Sequence, residues 1–282
     1  MTENNSLKGG VAVITGAASG IGEALARHAV QQLNMKVVLA DISEQALNRV
    51  ATDLTAVGGD VLPIVTDVSN PADMDKLADK TFSHYGSVKL LVNNAGIEML
   101  GFSWEIAADQ WEKILNVNIH GVVHGVRAFL PKMIESGEPC IVANMSSLAG
   151  VSIAPIQASY VMSKHAVLAF SECLHLELAI KQAKVQVSAV LPGPVKTKIF
   201  ETVDEAVEPA VAAHRQQMIE LLDQNGMSAE EAAETIFRQL RGGQFWVSTH
   251  PEITQAMARQ RADSLSNLST PFIDIESSFN LD

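Results

Sequence analysis

Tyr160 and Lys164 stand four residues apart, a spacing that puts both side chains on one face of a helix. A phenol with a pKa of about 10 is a poor base at neutral pH. An ammonium one turn away favours the phenolate and brings that pKa toward the working range, so the pair could take up and return a proton. Ser147, thirteen residues upstream, has a hydroxyl suited to holding the oxygen that gains or loses that proton. A Tyr-x-x-x-Lys pair is also ordinary helix-surface chemistry. It carries meaning only if the fold brings the three residues to one place.

The elements that would position them are legible as an alternation. Short aliphatic and β-branched runs predict strands at Val11–Thr15, Lys36–Asp41, 61–66, 88–93, Cys140–Met145, Val185–Leu191 and 245–248. Amphipathic stretches between them predict helices at Gly20–Leu33, 44–57, Pro71–Tyr85, 107–134, 160–181 and 228–241. Asn70 with Pro71, and Ser228 with Glu231, mark two of the helix starts. The strand runs are continuously apolar, as for parallel strands covered on both faces. Repeated strand–helix–strand units imply right-handed crossovers and a doubly wound, seven-stranded parallel α/β sheet in one domain. Ser147 then follows a strand at its carboxyl end, the edge where such sheets bind ligands. Residues 198–227 fall outside the alternation and read as a helical flap over the site. Residues 251–282 continue past the last strand as an extension that covers the site or packs on a partner subunit.

The first predicted strand runs directly into Thr15-Gly16-Ala17-Ala18-Ser19-Gly20-Ile21-Gly22 and then a helix. Gly16 permits a tight turn, Gly22 permits close helix–strand packing, and the helix N-terminus around Ser19, Gly20 and Ile21 offers free amides to a pyrophosphate. The second strand ends at Asp41. Its carboxylate can accept both hydrogens of an adenosine ribose diol and would repel a 2′-phosphate, which favours NAD over NADP; a helix N-cap is the other reading of Asp41. No Arg or Lys occupies positions 18, 19 or 42. Asp67 and Val68, at the end of the third strand, are placed to meet the adenine.

Composition narrows the remainder. Hydrophobic residues make up 47% of the 282, ample for a large core. Twenty basic against thirty-two acidic residues give a net charge of −12, which argues against nucleic acid and anionic membrane as partners. Cys140 and Cys173 both lie in apolar runs and read as buried free thiols. The eight histidines form no spaced ligand set, so no metal is expected. The polar N-terminus has no signal-like apolar stretch, and a cytoplasmic enzyme is the expectation.

Taken together, these pieces resemble the short-chain dehydrogenase/reductase family of the single-domain, Rossmann type. To the glycine turn and Ser147, Tyr160 and Lys164 are added Asn93-Asn94-Ala95-Gly96, Asn118 within Val117-Asn118-Ile119, Ser146, and Pro192-Gly193-Pro194-Val195-Lys196-Thr197. The resemblance implies a catalytic tetrad of Asn118, Ser147, Tyr160 and Lys164, with the asparagine holding a water that joins the lysine to solvent. It also implies that Asn94, Ala95 and Gly96 line the adenine-ribose side, that Pro192, Gly193, Val195 and Thr197 approach the nicotinamide, and that Lys164 grips its ribose. Ser146 is the neighbouring alternative to Ser147, the spacing to Tyr160 favouring the latter. A homotetramer or homodimer built partly on helices 107–134 and 160–181 is implied as well.

The substrate end is less legible. Ile97, Met99, Leu100, Leu148, Ala149, Val151, Ile199, Phe200 and Met218 suggest a small molecule with an apolar body, such as a secondary alcohol or ketone. Glu98, Lys196 and Lys198 could contact a polar group of the substrate, but read rather as solvated loop charges. Two alternatives stay open: an NADP-preferring carbonyl reductase, and a dinucleotide-binding protein without turnover.

Overall fold

The computed structural model describes residues 7–201 and 208–272. Parts of the expected flap and C-terminal extension, residues 202–207 and 273–282, lie outside the described residues. Seven parallel strands form one sheet: β1 (Val11–Thr15), β2 (Lys36–Asp41), β3 (Val61–Val65), β4 (Leu90–Asn93), β5 (Cys140–Met145), β6 (Val185–Leu191) and β7 (Trp246–Ser248). Their order across the sheet is β3-β2-β1-β4-β5-β6-β7. The chain winds outward from β1 to β3, then returns to place β4 on the other flank of β1. That reversal opens a crevice at the carboxyl ends of β1 and β4, where a doubly wound sheet receives its ligand.

Helices cover both faces: α1 (Gly20–Leu33), α2 (Glu44–Ala56), α3 (Pro71–Tyr85), α4 (Ala108–Leu115), α5 (Gly121–Glu135), α6 (Ala158–Ile180), α7 (Pro209–Asn225), α8 (Ala229–Arg241) and α9 (Pro251–Ser266). The alternating faces of the strands feed two cores. Ala12, Ile14, Val37 and Leu39 pack with Leu25 of α1, Leu54 of α2 and Phe237 of α8. Val13, Val38, Leu91 and Val142 pack with Leu77 of α3, Phe129 of α5 and Leu174 of α6. β1 is buried throughout and so is β5, which accounts for their largely apolar sequences. Asn70 caps α3, and Ser228 with Glu231 forms a complete capping box on α8, as the sequence indicates.

The differences from the sequence reading have physical causes. Predicted strand edges at Thr66, Val88 and Phe245 lie just beyond β3, β4 and β7, although Thr66 and Phe245 still bond to neighbouring strands through N–H to Asp41 and C=O to Ala189. The long helix expected over 107–134 is interrupted by a π-helical turn, Asn116–His120. That turn carries the buried Asn118, whose side chain is taken up by a neighbouring loop rather than by a regular helix face. Cys140 is buried as expected, but Cys173 is exposed. It falls on the outer face of α6, opposite the stripe that includes Leu174 and Leu178.

Beneath the site, a polar chain ties three elements together inside the core. Asn93 of β4 donates from Nδ2 to Asn144 Oδ1 of β5 at 2.9 Å, Asn144 Nδ2 donates to Ser171 Oγ of α6 at 3.1 Å, and Ser171 donates to the Val167 carbonyl. Ser171→Ala would leave the buried Asn144 amide short of an acceptor. It is expected to cost about 1–3 kcal/mol of stability, measured by urea unfolding; a loss below a few tenths would show that the chain does not matter.

Candidate active site

The glycine turn forms because two of its residues need left-handed backbone. Gly16 has φ +63 and Gly20 φ +52, conformations that L side chains rarely adopt. A Cβ on Gly22 would collide with the Gly16 carbonyl and the Asn94 amide. Asn94 uses that space: its Nδ2 donates to the Thr15 carbonyl at 2.8 Å and to the Gly16 carbonyl at 3.2 Å. Thr15 Oγ1 in turn accepts the Asn94 and Ala95 amides at 2.9 and 3.0 Å. The turn after β1 and the loop after β4 are thereby locked to each other.

Several features of this end fit a dinucleotide. Ser19, at the N-cap of α1, makes no side-chain capping bond, so the amides of the first helical turn remain available to a phosphate. Gly20 lies against Thr197, whose methyl would be 3.2 Å from any Cβ there. Asp41 does not cap α2; Ser43 does. Asp41 instead accepts the Ala18 amide at 3.0 Å and the Ser43 amide at 2.9 Å, fixing its carboxylate at the rim beside the turn. Asp67 accepts both the amide and hydroxyl of Ser69, and the Val68 carbonyl meets His124 Nδ1 at 3.0 Å.

At the other end, β5 and α6 present the proton-transfer group. Ser147 follows β5 and accepts the Ala149 amide on its Oγ at 3.2 Å. Its hydroxyl also bonds to the Tyr160 phenol, lowering the phenol pKa. Ser146 faces inward, where its hydroxyl donates to the Lys164 carbonyl at 2.9 Å. Lys164 is buried, donates to the Met145 carbonyl at 3.0 Å, and lies over the Tyr160 ring with Nζ 5.3 Å from its centre. Asn118 makes no bond to Lys164. Its Oδ1 accepts the Ile97 amide at 2.9 Å, while its Nδ2 donates to the Ile97 carbonyl at 2.9 Å and to Ser163 Oγ at 3.0 Å. Both Asn118 Oδ1 and Lys164 Nζ border Gly96, each 3.4 Å from where a Cβ would stand.

The electrostatics depart from the sequence expectation at one point. Burial lowers the Lys164 pKa to about 8, with Glu98 opposing. Tyr160 is pushed upward by burial and then by Glu98, against the Ser147 hydrogen bond. Any downward pull of the lysine on the phenol is outweighed here by burial and by Glu98. Glu98 is a second correction. It is no solvated loop charge: burial raises its pKa well above the usual carboxylate range, Lys164 and the Met99 amide opposing.

One cleft of about 2080 Å³ connects the two ends. Gly16, Ser19, Gly20, Ile21, Gly22, Asp41, Asp67 and Val68 line it at the turn. Asn94, Ala95, Gly96, Pro192, Gly193, Val195 and Thr197 line its middle. Ser147, Leu148, Tyr160, Lys164 and Phe200 line the far side. Of the residues singled out in the sequence for catalysis or binding, Asn118, Met99, Leu100 and Val151 are absent from the lining.

Other wall residues were not legible. Arg49 of α2 reaches back to donate to the Ala18 carbonyl at 3.2 Å and pairs with Glu23 at 2.6 Å. Its only sequence signal is a helical register shared with Ala46, which also lines the cleft. Met257, Arg261 and Leu265 of α9 line the cleft too, followed by Leu268 and Phe272, so the extension reaches the site.

The family model for short chain dehydrogenase matches residues 10–208. The chain belongs to the short-chain dehydrogenase family. As a short-chain dehydrogenase it is an oxidoreductase. Among solved structures it is similar to a short-chain dehydrogenase/reductase from Burkholderia phymatum in complex with NAD, with 36% identity, a TM-score of 0.91, and coverage of 95% of this chain and 98% of that one. It is also similar to an alcohol dehydrogenase from Thermococcus sibiricus complexed with 5-hydroxy-NADP, at 26% identity and a TM-score of 0.69 over 82% of this chain and 89% of that one. A 1-deoxy-11-beta-hydroxypentalenate dehydrogenase from Streptomyces avermitilis is 32% identical over 91% of this chain and 90% of its own. No helix among the described residues is long and apolar enough to cross a membrane.

The coupling of Glu98 to Tyr160 gives a direct measurement. The chain has two tyrosines, so in a Tyr85→Phe background tyrosinate absorbance reports Tyr160 alone. A nearby carboxylate opposes formation of the phenolate, and removing it lowers the phenol pKa. Adding Glu98→Gln is expected to move the titration to lower pH; an unmoved curve would show that the two groups are not coupled.

Proposed function

We propose that this short-chain dehydrogenase transfers a hydride between NAD(H) and a secondary alcohol or its ketone, with Tyr160 as the general acid/base. The observation that carries the reading is Tyr160, hydrogen-bonded to Ser147 and underlain by Lys164, on the wall of the cleft that begins at the glycine turn. When bound, the nicotinamide supplies or accepts the hydride.

The chain's own residues supply the remainder. Ser147 and Tyr160 offer two hydrogen bonds to the substrate oxygen, where charge develops during reduction. Tyr160, its pKa raised, holds a proton to deliver to that oxygen. In the oxidative direction the same phenol must be deprotonated, and the Lys164 charge beneath its ring favours that form. Asn118 fixes the loop at Ile97 and acts as a positioning residue. Lys164 would hold the nicotinamide ribose, and Pro192 to Thr197, which line the middle of the cleft, would hold that part of the cofactor.

NAD is the preferred coenzyme in this reading. Asp41 is held at the rim by two amides, and Arg49, which lines the same cleft, is already bonded to Glu23, so a 2′-phosphate would meet a carboxylate there. The apolar lining from Leu148, Ile153, Phe200 and Met257 suits an apolar substrate body. The expected flap, through residues 198–201 and α7, and the extension, from α9 to Phe272, serve as covers of that end. The exposed Leu176 and Ile180 of α6 and Trp246 of β7 suit burial in a homodimer or homotetramer.

Two measurements test this. Tyr160→Phe is expected to lower kcat for any alcohol found by NADH absorbance by about 10²-fold or more, with NADH binding retained; unchanged turnover would refute the mechanism. Wild type is expected to favour NAD over NADP in kcat/KM, and Asp41→Ala to shrink that preference. Faster turnover with NADP in the wild type would instead support a carbonyl reductase of the NADP type.

A further inference from the structure

Glu98 is a group that the proton-transfer scheme does not use. It follows β4 two residues after Gly96 and lines the cleft with Ser147 and Tyr160. Both carboxyl oxygens are shut off from solvent, and neither has a hydrogen-bond partner. The Met99 amide favours the charged form without reaching hydrogen-bond geometry to either oxygen. An unpaired buried carboxyl is costly, and structural carboxyls are ordinarily paired with a cation or several amides.

The backbone on both sides of Glu98 is held in place. Asn118 grips the Ile97 amide and carbonyl, and Ser159 Oγ donates to the Met99 carbonyl at 3.2 Å. With its backbone fixed in this way and its carboxyl unsatisfied, Glu98 is a residue of the cleft wall that gains a partner if its side chain turns toward an arriving ligand.

We propose that Glu98 is a specificity-determining residue that receives a second hydroxyl of the substrate, so that the preferred substrates are diols or polyols with an apolar body. This rests on the alcohol–ketone reading above. A neutral hydroxyl suits the position better than an ammonium, because the Lys164 cation already stands within electrostatic reach and would repel a second one. Burial favours the protonated carboxyl, which both donates and accepts, and a hydroxyl does the same. A substrate without that hydroxyl would leave the carboxyl unpaired, the condition under which a polar pocket discriminates most strongly.

The test uses pairs of secondary alcohols that differ by one hydroxyl, 1-phenylethanol against 1-phenyl-1,2-ethanediol and 2-octanol against 1,2-octanediol. Turnover with NAD and binding to the NADH-loaded enzyme are both followed, the latter by NADH fluorescence, where no reaction can occur. The wild type is expected to favour the diol of each pair by about tenfold or more in both readouts. Glu98→Leu is expected to bring the ratio to about one, and Glu98→Gln, which keeps a donor and an acceptor, to retain part of it. Equal or undetectable binding of both members in the wild type, or a diol preference that survives Glu98→Leu, overturns the proposal. If diols bind through Glu98 but yield no NADH, the alcohol–ketone reading fails and the recognition stands; if both members yield NADH equally, the reverse holds.

Discussion

The rest of the site depends on the lock between Thr15 and Asn94. One threonine hydroxyl accepts two amides from the loop after β4, and one asparagine amide donates to two carbonyls of the turn after β1. These bonds hold together the carboxyl ends of the two strands at which the winding of the sheet reverses. They also require that Gly22 have no side chain, since the asparagine occupies that space. From the lock, the loop runs through Gly96 and Ile97 to Glu98, so the cofactor turn and the acidic wall of the substrate end belong to one connected piece of backbone.

Around Tyr160 the balance of charge is set by burial before it is set by pairing. Lys164 and Glu98 have opposite formal charges, and each is driven toward its neutral form by loss of water. Each also favours the other's charged form, so the pair and the phenol form a coupled set in which moving one proton changes the hold on the others. A ligand entering the cleft alters all three at once, because it changes both the solvation and the hydrogen bonds they see.

The fold was legible because its signals are local and repeated. Largely apolar runs such as Val11–Thr15 and Cys140–Met145 fit strands whose two sheet faces are both covered, and the caps at Asn70 and Ser228 fix helix starts from single residues. The glycine turn and Asp41 are contiguous signals of the same kind, and both line the cleft. The π turn at Asn116–His120 was not legible, because it follows from the pull of one side chain on the distant Ile97 backbone. Nor were Glu98 and Arg49, whose environments are made by elements far away in sequence. A carboxylate in a loop looks solvated until the wall around it is built. Cys173 failed in the opposite way, since an apolar neighbourhood in sequence does not say which side of a helix a residue faces.

α9 buries none of its own residues, yet it forms part of the cleft wall. A helix held so lightly contributes little to the stability of the sheet beneath it. Its arrangement, and that of α7, is therefore open to change at low cost to folding. The two ends of the cleft thus differ in how freely they can be altered. The glycine-turn end is locked to the strand ends by its hydrogen bonds and tolerates little, while the parts of the wall that α7 and α9 add come from segments after β6 and β7 that can be exchanged without moving the phenol. In such an architecture, a new substrate range is reached by rewriting the end of the chain, with the chemistry inherited intact.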